Sequence, residues 1–210
     1  ASEPAVSETV RATLDALADA GHAVETVSVP LHDDGFAIYN AIVLEAVAAL
    51  VRDEGVGYYR GGAYDADFAA AFAEARRTRA QEFPAAMRLT LALGRYLATE
   101  YRASYHASGQ SLRGDLRAQY DDALADVDVL AMPTTPQTAH ERRDDLDLED
   151  RIQRSLDMFQ NTAPFNLTGH PAVSVPCGSA DGLPVGLSFV GDQFADATVL
   201  RAARAVETLG

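Results

Sequence analysis

A chain of 210 residues, 48% hydrophobic and 23% charged, is long enough to bury a substantial core and too apolar to remain disordered. All 17 basic residues are arginine, none is lysine, and 31 carboxylates leave a formal charge of −14, so the surface repels nucleic-acid phosphates and acidic membranes. The single cysteine, Cys177, excludes an internal disulfide. No run of about 18 apolar residues marks a membrane span, and the first ten residues lack the basic and apolar regions of a secretory leader. The expectation is a cytoplasmic protein with no nucleic-acid or membrane partner. The carboxylate-rich surface suits a halophilic setting, where salt screens self-repulsion; an acidic protein from an arginine-rich genome has the same composition.

Val6, Val10, Leu14 and Leu17 recur at helical spacing. Ser2 can cap this helix, Pro4 suits its opening turn and Gly21 ends it. Residues 23–29, AVETVSV, read as a strand stopped by Pro30. A helix feeding a strand is the second half of a βαβ unit, whose first strand would precede the helix, although a helix-first domain would look the same. Residues 36–52 form an apolar helix, and 55–65 a glycine-rich loop. That loop matches neither G-x-x-x-x-G-K-[ST] nor G-x-G-x-x-G and follows a helix, so it reads as a connection and not as a phosphate cradle.

Asp65 or Asp67 caps a helix to about residue 83, Pro84 opens another to about residue 107, and a third spans about 111–125. The strand DVLAM follows at 128–132, then a polar, charged loop at 136–147. Asp147 or Leu148 starts a helix to about residue 159. A tight loop at 164–171 leads to the apolar strand 172–175, an Asp181-Gly182 hairpin turn and a second apolar strand at 185–190. Neither strand alternates cleanly, which predicts cover on both faces. A phased helix closes the chain at 196–209, and with no repeat or low-complexity linker the whole of 1–210 reads as a single domain.

The residues offer little independent chemistry. Ser108 and Ser111 lie near His106 but no G-x-S-x-G elbow surrounds them. Cys177 with His170 could form a thiol–imidazole pair, yet Cys177 ends an apolar strand, where a small buried thiol is the common outcome. The five histidines show no H-x-x-x-H or H-E-x-x-H spacing, so no metal ligand set is assigned. Paired acids such as Asp121-Asp122 and Asp144-Asp145 fall in polar stretches of a chain rich in acids.

The order T-A-P-F-N-L-T-G-H-P-A-V-S-V-P-C-G at 162–178, followed by D-G-L-P-V-G at 181–186, resembles the C-terminal end of the amidase-signature family, and within it the amidases of simple carboxamides. D-V-L-A-M-P-T-T-P at 128–136 and A-G-H-A-V-E-T-V-S-V-P at 20–30 resemble two further strands of that family. The resemblance implies an α/β fold, the C-terminal part of the amidase-signature fold, with a mixed β-sheet flanked by helices on both faces. It covers roughly the second half of such an enzyme.

The family attacks its amide with a serine, activated by a second serine in a cis peptide and by a lysine. This chain contains no lysine and no Gly-Gly-Ser-Ser run, so no catalytic residue carries over. The implied partner is a missing N-terminal half, without which the chain is expected to be inactive. No cofactor or metal is implied, and a homo-oligomer is compatible with the sequence. The resemblance implies that Thr162, Phe165, Asn166 and Phe189 face the acyl side of a small amide substrate. Equally, Asn166 could cap a turn and the two phenylalanines could be core.

Amidotransferase subunits of the family, which act on misacylated tRNA, hold glutamine with an aspartate before this loop and an arginine on an earlier helix. Here Phe159 stands at the first position and Leu89 and Thr90 at the second, with Arg88 and Arg95 nearby. An apolar side chain cannot compensate a zwitterion, which favours a neutral aliphatic or aromatic amide over glutamine. A non-catalytic binding or structural module built on the same sheet is the third reading.

Overall fold

The computed structural model describes residues 2–58 and 61–209. They form eight helices, α1 (Pro4–Asp19), α2 (Gly35–Arg52), α3 (Ala66–Thr78), α4 (Ala85–Glu100), α5 (Ser104–Leu124), α6 (Leu148–Leu156), α7 (Ala163–Thr168) and α8 (Asp196–Glu207). Three strands accompany them, β1 (Leu130–Pro133), β2 (Ala172–Ala180) and β3 (Leu183–Val190). Positions 59 and 60 of the glycine-rich loop lie outside the described residues.

The chain divides into two compact units. The first comprises Ala1–Ile38, Leu112–Asp145 and Leu156–Gly210; the second comprises Tyr39–Ser111 and Leu146–Ser155. Three of the four boundaries fall inside helices, α2, α5 and α6, which is why no linker composition betrays them.

Unit 1 is built on the hairpin. Asp181 and Gly182 both take positive φ, 51° and 79°, the combination a two-residue turn needs to match strand twist. β3 is central and antiparallel to both neighbours, giving the order β1-β3-β2. The expected mixed sheet is thus, among the described residues, a small antiparallel one within a helix-rich α/β chain. Val175, Val185, Leu187 and Phe189 form one buried cluster with Val6, Val10 and Leu17 of α1 and Val199, Ala203 and Val206 of α8. Burial of each such side chain contributes about 1.5–3 kcal/mol.

Several boundaries differ from the sequence expectation for identifiable reasons. Residues 23–29 form no strand; they run without a ladder partner, leaving Val24 and Val27 exposed. The helix expected to run from Pro84 past residue 100 breaks at Arg102 and Ala103, both at positive φ, and α5 starts at Ser104. The expected loop at 164–171 contains α7, closed by Gly169 at φ 78°. α1 is preceded by Glu3, not Ser2, and neither end of it carries a side-chain cap bond from that residue. Asp65 does cap α3, accepting from the amides of Asp67 and Phe68 at 3.0 Å.

In unit 2, Gly94 of α4 lies against α2 so closely that a Cβ there would collide with the Leu44 carbonyl and approach the Ala48 Cβ to 2.8 Å. By length and composition alone α2, of mean hydropathy 1.5, could cross a membrane, which corrects the expectation that no segment is apolar enough. Its Ile42, Glu45 and Val51 are buried, and Gly94 of α4 packs closely against Leu44 and Ala48.

Gly94→Ala is expected to destabilise unit 2 by about 1–3 kcal/mol through overpacking. Gly114, exposed in α5 with nothing within 4 Å of an added Cβ, should instead yield about 0.5–1 kcal/mol of stability on change to alanine. Urea unfolding of the two variants against the parent chain measures the opposite signs.

Candidate functional site

Cross-strand pairing fixes which side chains share a face of the sheet. Val173, Phe189 and Ala131 are in register, as are Val175 and Leu187, and these face the α1–α8 core. The opposite face carries Ser174, Ser188 and Met132, also in register, with Gly186 and Thr134 beside them. Thr134 Oγ1 and Ser174 Oγ lie 2.6 Å apart on an exposed part of this face. Gly186 makes room for them, since a Cβ there would come within 2.9 Å of both hydroxyls. Asn161 Nδ2 donates to the Pro133 carbonyl at 2.7 Å and closes the β1 end.

Among the described residues neither hydroxyl of the pair is hydrogen-bonded to an imidazole or a carboxylate. An unassisted hydroxyl is a poor nucleophile near neutrality, so the pair can orient a ligand but has no base to activate it. The other candidate nucleophiles are also engaged. Cys177 Sγ donates to the Val185 carbonyl at 3.4 Å, and burial pushes its thiol above the ordinary range, opposite to what a thiolate nucleophile requires. In unit 2, His106 faces the Ile42 carbonyl and Gln110, and Ser111 donates back to Ala107 within its own helix.

The four residues expected at a substrate pocket divide between two elements. Thr162, Phe165 and Asn166 lie at or in α7, with Asn166 exposed and Thr162 Oγ1 donating to the Phe159 carbonyl at 3.4 Å. Phe165 is buried with its ring 4.8 Å from Tyr120 and 6.3 Å from His32. Phe189 sits in β3, in the sheet core.

Behind α7 lies a buried aromatic group that the sequence did not indicate. His32 Nδ1 is 2.6 Å from the Tyr120 hydroxyl, and Tyr120 also meets His170 edge-on at 5.6 Å. Burial pushes the Tyr120 hydroxyl well above its usual range, so it stays protonated and donates to His32. Burial lowers the pKa of His32, outweighing the hydrogen bond with Asn161 and the Asp33 charge, which raise it. His170, with no exposed side-chain surface, lies 3.0 Å from Asp121 Oδ1 through Nε2. Asp192 completes a three-residue cluster of potential metal ligands there. These residues are scattered along the chain, so no spacing motif could reveal them.

Two concavities stand out among the described residues. In unit 1 a cleft of about 1650 Å³ runs between residues 22–33 and β1, with Phe189 and the Arg201 face of α8 lining it. Its two long walls are the unpaired segment around Val24–Val27 and the outer edge of β1, which pairs only with β3. The opposite edge of the sheet is managed differently: β2 shifts register between Pro176 and Gly178, and Thr13 Oγ1 donates to the Cys177 carbonyl at 2.8 Å. In unit 2 a cavity of about 760 Å³ is lined by Glu45, Arg88 and Arg95 over an apolar floor that includes Phe83 and Leu91. Glu45 is buried, and its Oε1 has no hydrogen-bond partner among the described residues.

The family model described as Amidase matches residues 1–200. An enantioselective amidase of Rhodococcus rhodochrous is 38% identical over 211 aligned positions, covering 99% of this chain and 41% of that protein. An uncharacterized protein in the nthA 5′ region of Rhodococcus erythropolis is 39% identical, covering 83% of this chain and 88% of that protein. The crystal structure of a glutamyl-tRNA(Gln) amidotransferase subunit from Thermotoga maritima superimposes with a TM-score of 0.65 at 27% identity, over 99% of this chain and 39% of that one. The chain therefore spans less than half the length of the Rhodococcus rhodochrous amidase and of the Thermotoga protein.

The neutral state of His32 predicts a pH dependence with a definite sign. Its folded pKa lies below the ordinary 6.5, so its contribution to stability is complete above that value and declines as pH falls through the folded pKa. The urea midpoint of unit 1 should fall on acidification from about pH 7.5 to about pH 5.5, and His32→Gln should flatten that part of the slope.

Proposed function

The chain belongs to the amidase family, and on that premise we propose that it forms the scaffold and acyl-side wall of an amide hydrolase whose nucleophile and base lie outside these 210 residues. The reaction is R-CO-NH2 + H2O to a carboxylate and ammonia. Amide cleavage by serine requires a base within hydrogen-bond reach, and this chain carries neither a lysine nor a Gly-Gly-Ser-Ser run.

The observation that carries the reading is the cleft of unit 1. Residues 22–29, which join no ladder, and the outer edge of β1 line one space, an arrangement that suits an intervening strand from another part of the protein. In this reading the Thr134–Ser174 hydroxyls and α7, with Thr162 and Asn166, line the side of the pocket that receives the acyl group, and Phe165 and Phe189 support it from the core. The acyl group is aliphatic or aromatic and neutral, and the carboxylate-rich surface suits a high-salt cytoplasm.

One observation favours a second reading, transfer of the amide nitrogen from an amino-acid-like donor. The cavity of unit 2 is lined by Arg88 and Arg95 and by the buried acid Glu45, opposite charges of the kind a zwitterion needs.

The purified chain should show no turnover of acetamide or benzamide, and co-expression with the N-terminal part of a family amidase should restore it. Turnover by the chain alone that survives both a serine-directed inhibitor and Cys177→Ala contradicts the proposal. Glutaminase activity in the co-expressed pair, lost on Arg95→Ala, selects the second reading.

A further inference from the structure

We propose that Asp121, His170 and Asp192 form a binding site for one divalent transition-metal ion of the zinc, cobalt or nickel type, on the surface of unit 1. The three come from different elements, Asp121 from α5, His170 from the turn between α7 and β2, and Asp192 from the loop after β3. One donor atom of each lies within 4.8 Å of the other two. The 3.0 Å between His170 Nε2 and Asp121 Oδ1 matches the separation of adjacent ligands around an ion with bonds of about 2.1 Å.

The imidazole is already held as a metal-binding imidazole should be. Its side chain is fully buried, Tyr120 packs edge-on against it, and Nδ1 is 2.9 Å from Thr168 Oγ1. Metal-free, the Asp121 carboxylate can only accept, so Nε2–H donates to it and Nδ1 accepts from the Thr168 hydroxyl; an ion takes the place of the Nε2 proton, and the same hydroxyl, which also accepts, then holds Nδ1–H as outer partners do in histidine metal sites. The loops are fixed as well: Gln193 Nε2 donates to the Thr168 carbonyl at 3.1 Å, and the Gly191 amide to Pro171 at 3.0 Å. The site therefore requires little ordering on binding.

The charge balance also calls for a cation. Two carboxylates approach each other in a chain of net charge −14, and the positive group beside them is Arg117, 3.7 Å from Asp121 on an exposed helix face. Among the described residues, the Asp192 carboxylate accepts only from the amide of Gln193 in its own loop. Both acids are exposed, which leaves an entry path and room for water to complete the coordination shell. The nitrogen ligand selects a borderline ion over magnesium or calcium, which prefer all-oxygen sites. Bound there, the ion would tie α5 to both ends of the β2–β3 hairpin.

The test titrates the tag-free, metal-stripped chain with Zn2+ by calorimetry and with Co2+ by visible absorption. One saturable equivalent, d–d bands of a low-coordinate cobalt ion and a raised melting temperature are expected. Asp192→Asn, which removes a charge from an exposed loop, should weaken Zn2+ binding at least about tenfold and abolish the thermal shift while leaving the metal-free melting temperature unchanged. Asp121→Asn should weaken binding similarly. No saturable binding, binding indifferent to both substitutions, or equal affinity for Mg2+ overturns the site.

Discussion

The requirement that every backbone amide and carbonyl of a sheet find a partner governs unit 1. β3 satisfies it on both sides and carries two fully buried apolar side chains, Leu187 and Val190. β2 satisfies it on one side and blunts the other with a bulge, a proline and the hydroxyl of Thr13. β1 has no such device. Its outer edge faces a cleft whose far wall, residues 22–29, is equally unpaired. A natural protein seldom leaves a bare edge, and the proposed division of the amidase reads that deficit as the place of a strand from another part of the protein.

The same deficit marks where the sequence was readable and where it was not. The hairpin was legible because Asp181-Gly182 encodes a turn through purely local backbone preference, and α1 because Val6, Val10 and Leu17 repeat on one face. The motif at 162–178 carried the family, since T-A-P-F-N and A-V-S-V-P-C-G are order-specific. Residues 23–29 have strand composition but no strand, because a strand is a property of a pair and they meet no ladder partner among the described residues. The break at Arg102 and Ala103 was hidden because neither residue type announces a left-handed backbone. α7 escaped notice because Pro164 and Pro171 bracket it like a loop.

Site chemistry was less legible still, since it depends on contacts across long sequence separations. His32 meets Tyr120 across 88 residues and His170 meets Asp121 across 49. Phe165 and Phe189 could be assigned to the core or to a pocket by composition alone; both are buried, and Phe189 also lines the cleft of unit 1. Glu45 gave no signal in the apolar helix 36–52, since its burial without a partner at Oε1 depends on packing that the sequence does not encode locally.

The central claim is that β1 and residues 22–29 await a strand from outside this chain. Hydrogen–deuterium exchange of the backbone amides at 23–29 and 130–132, read with and without a co-folded N-terminal part of a family amidase, tests it most directly. The account predicts exchange near the intrinsic rate for 23–29 in the isolated chain, slowing by orders of magnitude together with residues 130–132 in the complex. Strong protection of 23–29 in the isolated chain, unchanged on complex formation, would contradict it.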